Sequence, residues 1–522
     1  MMMKLRLKQV LLLTGFAALL IRVIWGLTFL TSEIAAFNYL PGLDMATLLR
    51  FSEWTSTDHE SAPMFVLHRL LLFACYLAAG KSHNVIVIWL VQSFFGIAGS
   101  IFMAWGIDLL SKNTRAALAG GLIYGIYGPF LLYESVALQE SVLVHTLTIA
   151  FALLLYFRQS RNTGVGILCG IVLGLNSAGR PATVFLALAF ALFPIWENRR
   201  EKLSPVMFSI LVSLLSVWGI AALFNGYFRE SFSPFFNVMP HLAEVHAPQT
   251  AAAAAETVQT AKDTGVSLPE YFAVLAGAVK NVPMLFGMRE IPENLDYDVI
   301  RKMLPILSFG PSLLMPFAVA GMIAAVLLKR KELQVLYVAV AFLVLPLASR
   351  MPIGRYRLML VPFFIVFAVF LAVEIFKNHH RRLALIGIVT GVVGCNLLCA
   401  SPLVRPNPAA HYTLALAAMK CRAMPEKHLQ TAWEISNYSY KPSGLMLILH
   451  HMKKNEYGKA EKIILENRTD SPEFLYYLAL VRTAQHRFAE AGAALGTIPE
   501  PQKLGNLYPK YLRLSEFLQK QR

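Results

Sequence analysis

Clusters of lysine and arginine occupy every second gap between the apolar stretches of this 522-residue chain. Eleven stretches are apolar enough to be membrane spans, for which a helix needs about 20 residues. They lie at 10–30, 84–110, 116–133, 141–157, 164–178, 182–196, 204–224, 303–328, 333–348, 358–376 and 383–400. The basic gaps are 112–115, 158–161, 199–202, 329–331 and 377–382. Because short basic loops stay in the cytoplasm, the alternation predicts an all-α, polytopic membrane protein with a cytoplasmic N-terminus.

The composition supports a membrane protein and excludes a water-exposed fold. Hydrophobic residues make up 56% of the chain and charged residues 15%, and the mean hydropathy is +0.54. A net charge of +16 could indicate nucleic-acid binding. Much of that charge lies in short loops beside apolar stretches, where membrane topology accounts for it, so we expect no nucleic-acid partner.

The topology assigns the other gaps to the extracytoplasmic side. These gaps are 31–62, 133–140, 179–181, 225–302, 349–357 and everything after 400. The apolar stretch 63–79 carries His68 and Arg69, and we interpret it as an interfacial helix within a first outer loop, 31–83. The spans 164–178 and 182–196 are short, and losing only one of them would reverse the side of all later loops.

The tail contains a repeat and forms a separate predicted domain, 404–522, after a membrane domain, 1–403. Leu449, Tyr457 and Ala460 recur 31 residues later as Leu480, Phe488 and Ala491. This spacing is similar to that of tetratricopeptide helical hairpins, and we expect a capping helix over 511–520. Such repeats usually dock partners, so a protein partner of 410–522 is one expectation.

Four arginines depart from the charge rule because they lie on the predicted outer side, next to helix ends. They are Arg180, Arg350, Arg355 and Arg357. Cations in such positions are costly unless they meet anions, and a lipid phosphate is a suitable ligand. The alternative is that each arginine reaches ordinary lipid headgroups.

Three acids are candidates for chemistry on the same side. Asp44 follows the first span, where a partly desolvated carboxylate could act as a general base, or could cap a helix at 45–54. Glu134 and Glu140 lie six residues apart between two spans. They could hold a metal, orient an acceptor, or be solvated loop acids.

Six strings occur in the same order in a known family. They are GLD at 42–44, SAPMFVLHRLLLFACYLAAG at 61–80, IYGPFLLYESVALQES at 126–141, GIVLGLNSAGRPA at 170–182, REIPENLDYDVIRK at 289–302 and GRYRLMLVPF at 354–363. The chain thereby resembles the GT-C superfamily of membrane glycosyltransferases, specifically bacterial family 39 proteins related to protein O-mannosyltransferases and the lipid A aminoarabinose transferase. The last two strings resemble a subgroup with tetratricopeptide repeats after the membrane region.

The resemblance implies a protein of the plasma (bacterial inner) membrane that transfers a sugar, with inversion, from a polyprenyl phosphate to an acceptor on the outer side. Asp44 matches the catalytic base and Glu140 the second outer-loop acid, with Glu134 as its neighbour. The matches for phosphate binding are Arg180, Arg355 and Arg357, and the secondary candidates are Glu290 and Arg350.

The sequence leaves several questions open. The family includes metal-dependent and metal-independent members, so a divalent cation is one alternative and no ion is assigned. Thr47 and Leu48 stand where relatives carry a tyrosine, and the sugar and the acceptor, whether glycan, lipid or protein, stay open. A non-enzymatic protein that binds or translocates lipid-linked saccharide, or a scaffold built on the repeats, is the competing hypothesis.

Overall fold

The computed structural model describes the chain over 2–40, 66–179, 281–288, 296–348, 354–376, 407–421, 423–467 and 471–521, with a few single positions between these ranges. Throughout these ranges the secondary structure is helical, without a strand. Among the described residues, six helices are long and apolar enough to cross a membrane, and one bent pair is a seventh candidate. The predicted all-α, multi-pass membrane fold is therefore confirmed.

Most of the predicted spans that fall in the described ranges correspond to helices. Helix α1 covers Met2–Thr31, and α2 covers Val66–Ser111. A short 3-10 helix, Glu33–Tyr39, follows α1. The predicted spans 182–196, 204–224 and 383–400 lie almost wholly outside the described residues.

The expectation of a separate interfacial helix at 63–79 was wrong in one respect. Helix α2 is continuous from Val66 to Ser111, although only Val85–Ser111 is a candidate span. The polar stretch 81–84, which separates the two apolar stretches, contains no proline. Because proline is the residue that breaks a helix most strongly, the helix has no strong local reason to end there.

The predicted span 116–133 is two helices rather than one. Helix α3, Thr114–Ile126, and helix α4, Gly128–Glu134, meet at an angle of 48°. Tyr127 is in an extended conformation, and Pro129 lies in the first turn of α4. A proline favours the start of a helix, because its missing N–H needs no partner in the first turn. The bend lets α4 end within the bundle.

The helices after this bend follow in chain order. Helix α5 covers Gln139–Ser160 and α6 covers Thr163–Gly179, the latter short for a crossing. Then follow α7, Tyr297–Met303; α8, Pro311–Leu327; α9, Gln334–Ala348; α10, Gly354–Arg357; and α11, Val361–Phe376. Gly321 of α8 packs against the backbone of Phe367, which lies in α11.

A second compact unit contains Asn294–Val299 and Arg405–Arg522. Its helices after residue 404 are α12, Pro408–Lys420; α13, Glu426–Ile435; α14, Lys441–Lys453; α15, Tyr457–Glu466; α16, Pro472–Ala484; α17, Phe488–Gly496; and α18, Tyr508–Gln521. The 31-residue repeat therefore consists of two helical hairpins, α14–α15 and α16–α17. Trp433 stacks on Phe474 in their common core. The tetratricopeptide assignment itself stays a prediction.

Candidate functional site

The two acids of the α4–α5 connection are buried. Glu134 ends α4 and is 0% exposed, while Glu140, in the first turn of α5, is 3% exposed. The alternative that they are solvated loop acids is thereby excluded. Burying an ionised carboxylate is costly unless a cation or hydrogen bonds compensate it, so each acid needs a partner of its own.

Glu140 and Arg355 form an ion pair, although they are far apart in the chain. The Oε1 atom of Glu140 lies 3.8 Å from Nε of Arg355, which belongs to α10. Both side chains are largely shielded, with 4% and 14% of their surface exposed. Arg355 also stacks over the ring of Tyr356, at 5.2 Å from the ring centroid. The structure therefore brings together one acid and one arginine that the sequence analysis singled out separately.

Arg357 faces the protein rather than the solvent. Its side chain is 3% exposed, and Nη1 donates a hydrogen bond of 2.8 Å to the carbonyl oxygen of Gly287. Phe286, next to Gly287, packs against Phe364 of α11. Arg357 therefore ties the segment 281–288 to the start of α11, beside Arg355.

Glu134 has different partners from Glu140. Its Oε1 atom accepts a hydrogen bond of 2.6 Å from Nη2 of Arg22, and lies 3.0 Å from Nε2 of His145. Nδ1 of His145 is in turn 2.8 Å from the hydroxyl oxygen of Tyr124. The contact with Tyr124 fits a neutral imidazole protonated at Nε2, because Nδ1 then accepts from the tyrosine hydroxyl while the Nε2 proton lies beside the carboxylate. The buried cluster then carries one positive and one negative charge.

Two glycines of α2 make room for this cluster. A Cβ atom on Gly96 would lie 2.2 Å from Oε1 of Glu134 and 2.3 Å from Nη2 of Arg22. A Cβ atom on Gly99 would lie 2.9 Å from the Tyr124 hydroxyl oxygen. Contacts this short do not occur in folded proteins, so a side chain at either position would displace the ion pair or the tyrosine.

Three further side chains hold the segment 135–138 between the two acids. Trp25 of α1 donates through Nε1 to the Ser135 hydroxyl oxygen at 2.6 Å. Gln92 of α2 donates through Nε2 to the carbonyl oxygen of Val136 at 2.9 Å. Asn38, in the 3-10 helix after α1, donates to the Ser135 carbonyl oxygen at 3.0 Å and accepts from the Ala137 amide at 2.8 Å.

Our sequence analysis did not identify Arg22, His145, Gln92 or Asn38. A signal was present for the first three, since each interrupts an otherwise apolar stretch. Polar and ionisable residues inside membrane helices are costly and usually face a partner within the bundle. Asn38 gave no comparable signal, because it lies in the predicted first outer loop, where polar residues are ordinary.

Four of the predicted site residues fall outside the described part of the chain. These are Asp44, Arg180, Glu290 and Arg350. Over the residues that the structure describes, no three His, Cys, Asp or Glu side chains group closely enough to hold a metal ion. The roles of these four residues, and any ion, stay predictions.

An apolar groove of about 910 Å³ lies between α3, α8 and α11. Phe309, Leu313 and Phe317 line one wall, and small residues such as Ala119 and Ala368 line another. Most of its lining residues are apolar, with Asn113 and Arg115 as the exceptions.

No family model and no curated protein matches the sequence. Among solved structures, the chain is similar to the oligosaccharyltransferase AglB of Archaeoglobus fulgidus in complex with an inhibitory peptide and a dolichol-phosphate. That likeness has 14% identity and a TM-score of 0.41, and covers 90% of this chain and 59% of the other. The apo form of the Archaeoglobus fulgidus enzyme gives 14% identity and a TM-score of 0.41, with coverages of 80% and 56%. The chain thus spans somewhat more than half the length of these proteins, and at this level the likeness assigns neither activity nor substrate.

Proposed function

We propose that this protein is an inverting glycosyltransferase that takes a sugar from a polyprenyl phosphate and transfers it to an acceptor on the extracytoplasmic side. The observation that carries the proposal is the pairing of Glu140 with Arg355 at 3.8 Å. The acid from the α4–α5 connection and the arginine from α10 thus lie next to each other, and both are largely shielded from solvent. Transfer from a lipid phosphate requires both kinds of group.

The chemistry follows from the charges that develop during transfer. A carboxylate, for which we propose Asp44, takes the proton of the acceptor hydroxyl or amine as the acceptor attacks the anomeric carbon from the face opposite the phosphate. The bond between the anomeric carbon and the phosphate oxygen breaks, and its electron pair stays on the phosphate. Arg355, with Arg180, would stabilise that growing negative charge. Arg357 would support Arg355 through its hold on Gly287.

The remaining residues fit roles around this step. Glu140 would keep Arg355 oriented and help to bind the acceptor through its carboxylate. The apolar groove along α3, α8 and α11 would take the prenyl chain of the donor, since its lining is largely hydrocarbon. A docking role for the tail hairpins is a separate proposal, and the sugar-transfer step does not depend on it.

The test uses purified full-length protein, radiolabelled polyprenyl-phosphate sugars and a membrane extract as the source of acceptor. We expect the wild-type protein to transfer label, and Asp44→Asn to lose turnover while it still binds the donor. Glu140→Gln should also reduce turnover. Absence of transfer from any donor, or an Asp44→Asn protein with nearly full turnover, would contradict the proposal and favour a protein that binds or translocates lipid-linked saccharide.

A further inference from the structure

Asn38 bridges two positions of the segment that leads into Glu140. Its side chain is 0% exposed, and its amide uses both ends: the nitrogen donates to Ser135 and the oxygen accepts from Ala137. When one side-chain amide binds both a backbone carbonyl oxygen and the backbone N–H two residues later, it fixes the conformation of the backbone between them. The segment joins α4 to α5 as a turn rather than a helix, and its own backbone hydrogen bond runs from the Leu138 amide to the Val136 carbonyl oxygen at 2.7 Å.

The bridge has a direct consequence for Glu140. Ala137 lies three residues before Glu140, and α5 begins at Gln139. A helix is stiff over its first turn, so the position of its start determines where the Glu140 carboxylate lies relative to Arg355. Glu140 and Arg355 are 3.8 Å apart, so a shift of α5 away from α10 would weaken the ion pair, because the attraction falls as the charges move apart.

Asn38 also belongs to the predicted first outer loop. It follows α1 by seven residues and precedes Asp44 by six. The same side chain therefore joins the loop that carries the proposed base to the connection that carries Glu140. Gln92 and Trp25 hold the same connection from α2 and α1, but each makes a single hydrogen bond to it.

We propose that Asn38 is a positioning residue for sugar transfer, which sets the place of Glu140 by bridging Ser135 and Ala137. The inference rests on the proposed function. Asn38 itself makes no contact with the reacting atoms in this proposal and acts through Glu140. A displacement of about 1 Å in a catalytic group commonly costs up to 100-fold in rate, so the loss of the bridge should be visible in turnover.

The first test compares turnover in a double-mutant cycle of Asn38→Ala and Glu140→Gln in the full-length protein. We expect Asn38→Ala to lower kcat by about 10- to 100-fold with little change in the KM for the donor. Once Glu140 is replaced, the further change at Asn38 should have little effect, because the group that it positions is gone. If the two losses multiply, Asn38 does not act through Glu140 and the proposal is wrong.

The second test measures hydrogen–deuterium exchange of backbone amides and does not require activity. Asn38→Ala should raise exchange in the peptide that contains 135–138. Gln159→Ala, which removes a side-chain hydrogen bond to the Leu109 carbonyl oxygen at the far end of α5, should leave that peptide unchanged. Unchanged exchange at 135–138 in the Asn38 variant would overturn the proposal.

A variant that removes only one hydrogen bond shows whether the effects of Asn38→Ala could arise from general unfolding. Gln92→Met keeps the size of the side chain and removes only the hydrogen bond to Val136, so it should raise exchange at 135–138 and lower kcat by a smaller factor. If Gln92→Met raises exchange at 135–138 without lowering kcat, the position of this segment does not control Glu140 and the proposal is wrong. A wild-type protein without sugar transfer would contradict the proposed function instead, and exchange would still decide whether Asn38 holds the segment.

Discussion

Removing Arg22 should destabilise the membrane domain far more than breaking an ion pair of the same domain in which both side chains are exposed. Arg22 and Glu134 are 1% and 0% exposed and lie 2.6 Å apart. The variant Arg22→Met leaves the Glu134 carboxylate buried, with no cation to compensate it. Breaking a buried ion pair on one side costs about 3–5 kcal/mol in the free energy of unfolding.

The control is the pair of Arg330 and Glu332, 3.6 Å apart, in which 36% and 47% of the side-chain surfaces are exposed. Water already screens both charges of this pair, so Glu332→Gln should cost about 1 kcal/mol or less. The free energy of unfolding is measured by reversible unfolding in mixed detergent micelles, with secondary structure followed by circular dichroism.

A double variant separates loss of charge compensation from loss of packing. Glu134→Gln removes the negative charge but keeps an oxygen that can accept from His145. Combined with Arg22→Met, it leaves no unpaired charge, so the double variant should recover most of the stability lost in Arg22→Met. Equal losses in Arg22→Met and Glu332→Gln, or a double variant at least as unstable as Arg22→Met, would refute this explanation.

Two further predictions concern the tail. A Cβ atom on Gly444 would lie 2.5 Å from the Trp433 ring, so Gly444→Ala should destabilise the tail by about 1–3 kcal/mol. A Cβ atom on Gly458 would have nothing within 4 Å, so Gly458→Ala should be neutral or stabilising. Thermal unfolding of the two variants tests both expectations. A hydrogen bond from Lys454 lowers the pKa of Glu426 to about 2, so this carboxylate stabilises the folded tail above its unfolded pKa of about 4.5 and loses that contribution as the pH falls toward 2. Because both side chains are partly exposed, the wild-type tail should exceed Glu426→Gln in free energy of unfolding by at most about 1 kcal/mol at pH 6. This difference, measured by hydrogen exchange in the tail, should shrink as the pH falls from about 4.5 toward 2. A difference that does not change with pH would contradict the prediction.

The membrane helices were predictable because length and hydropathy are local properties. The spans 10–30, 84–110 and 141–157 correspond to α1, part of α2 and α5. The bend between α3 and α4 was not predicted, although Pro129 was a local signal for a new helix start. Hydropathy alone does not distinguish a straight helix from a bent pair.

The contacts of the candidate site depend on distant parts of the chain. The resemblance selected Glu140 and Arg355 individually, but their pairing depends on how α5 and α10 pack, which no short stretch of sequence encodes. The same holds for the pair of Glu134 and Arg22, of which only Glu134 was singled out from the sequence. Asn38 was missed because a single asparagine in a loop is common and becomes informative only when its backbone partners are known.

The central claim is that the proposed base and the arginines act on the same, extracytoplasmic side of the membrane. The most direct measurement labels single cysteines with a membrane-impermeant reagent, in right-side-out and inverted vesicles, after the native cysteines have been replaced. The account predicts that Asp44→Cys and Met351→Cys react from the outside, while Ser160→Cys reacts only in inverted vesicles. If positions 44 and 351 react from opposite sides, the proposed site cannot exist.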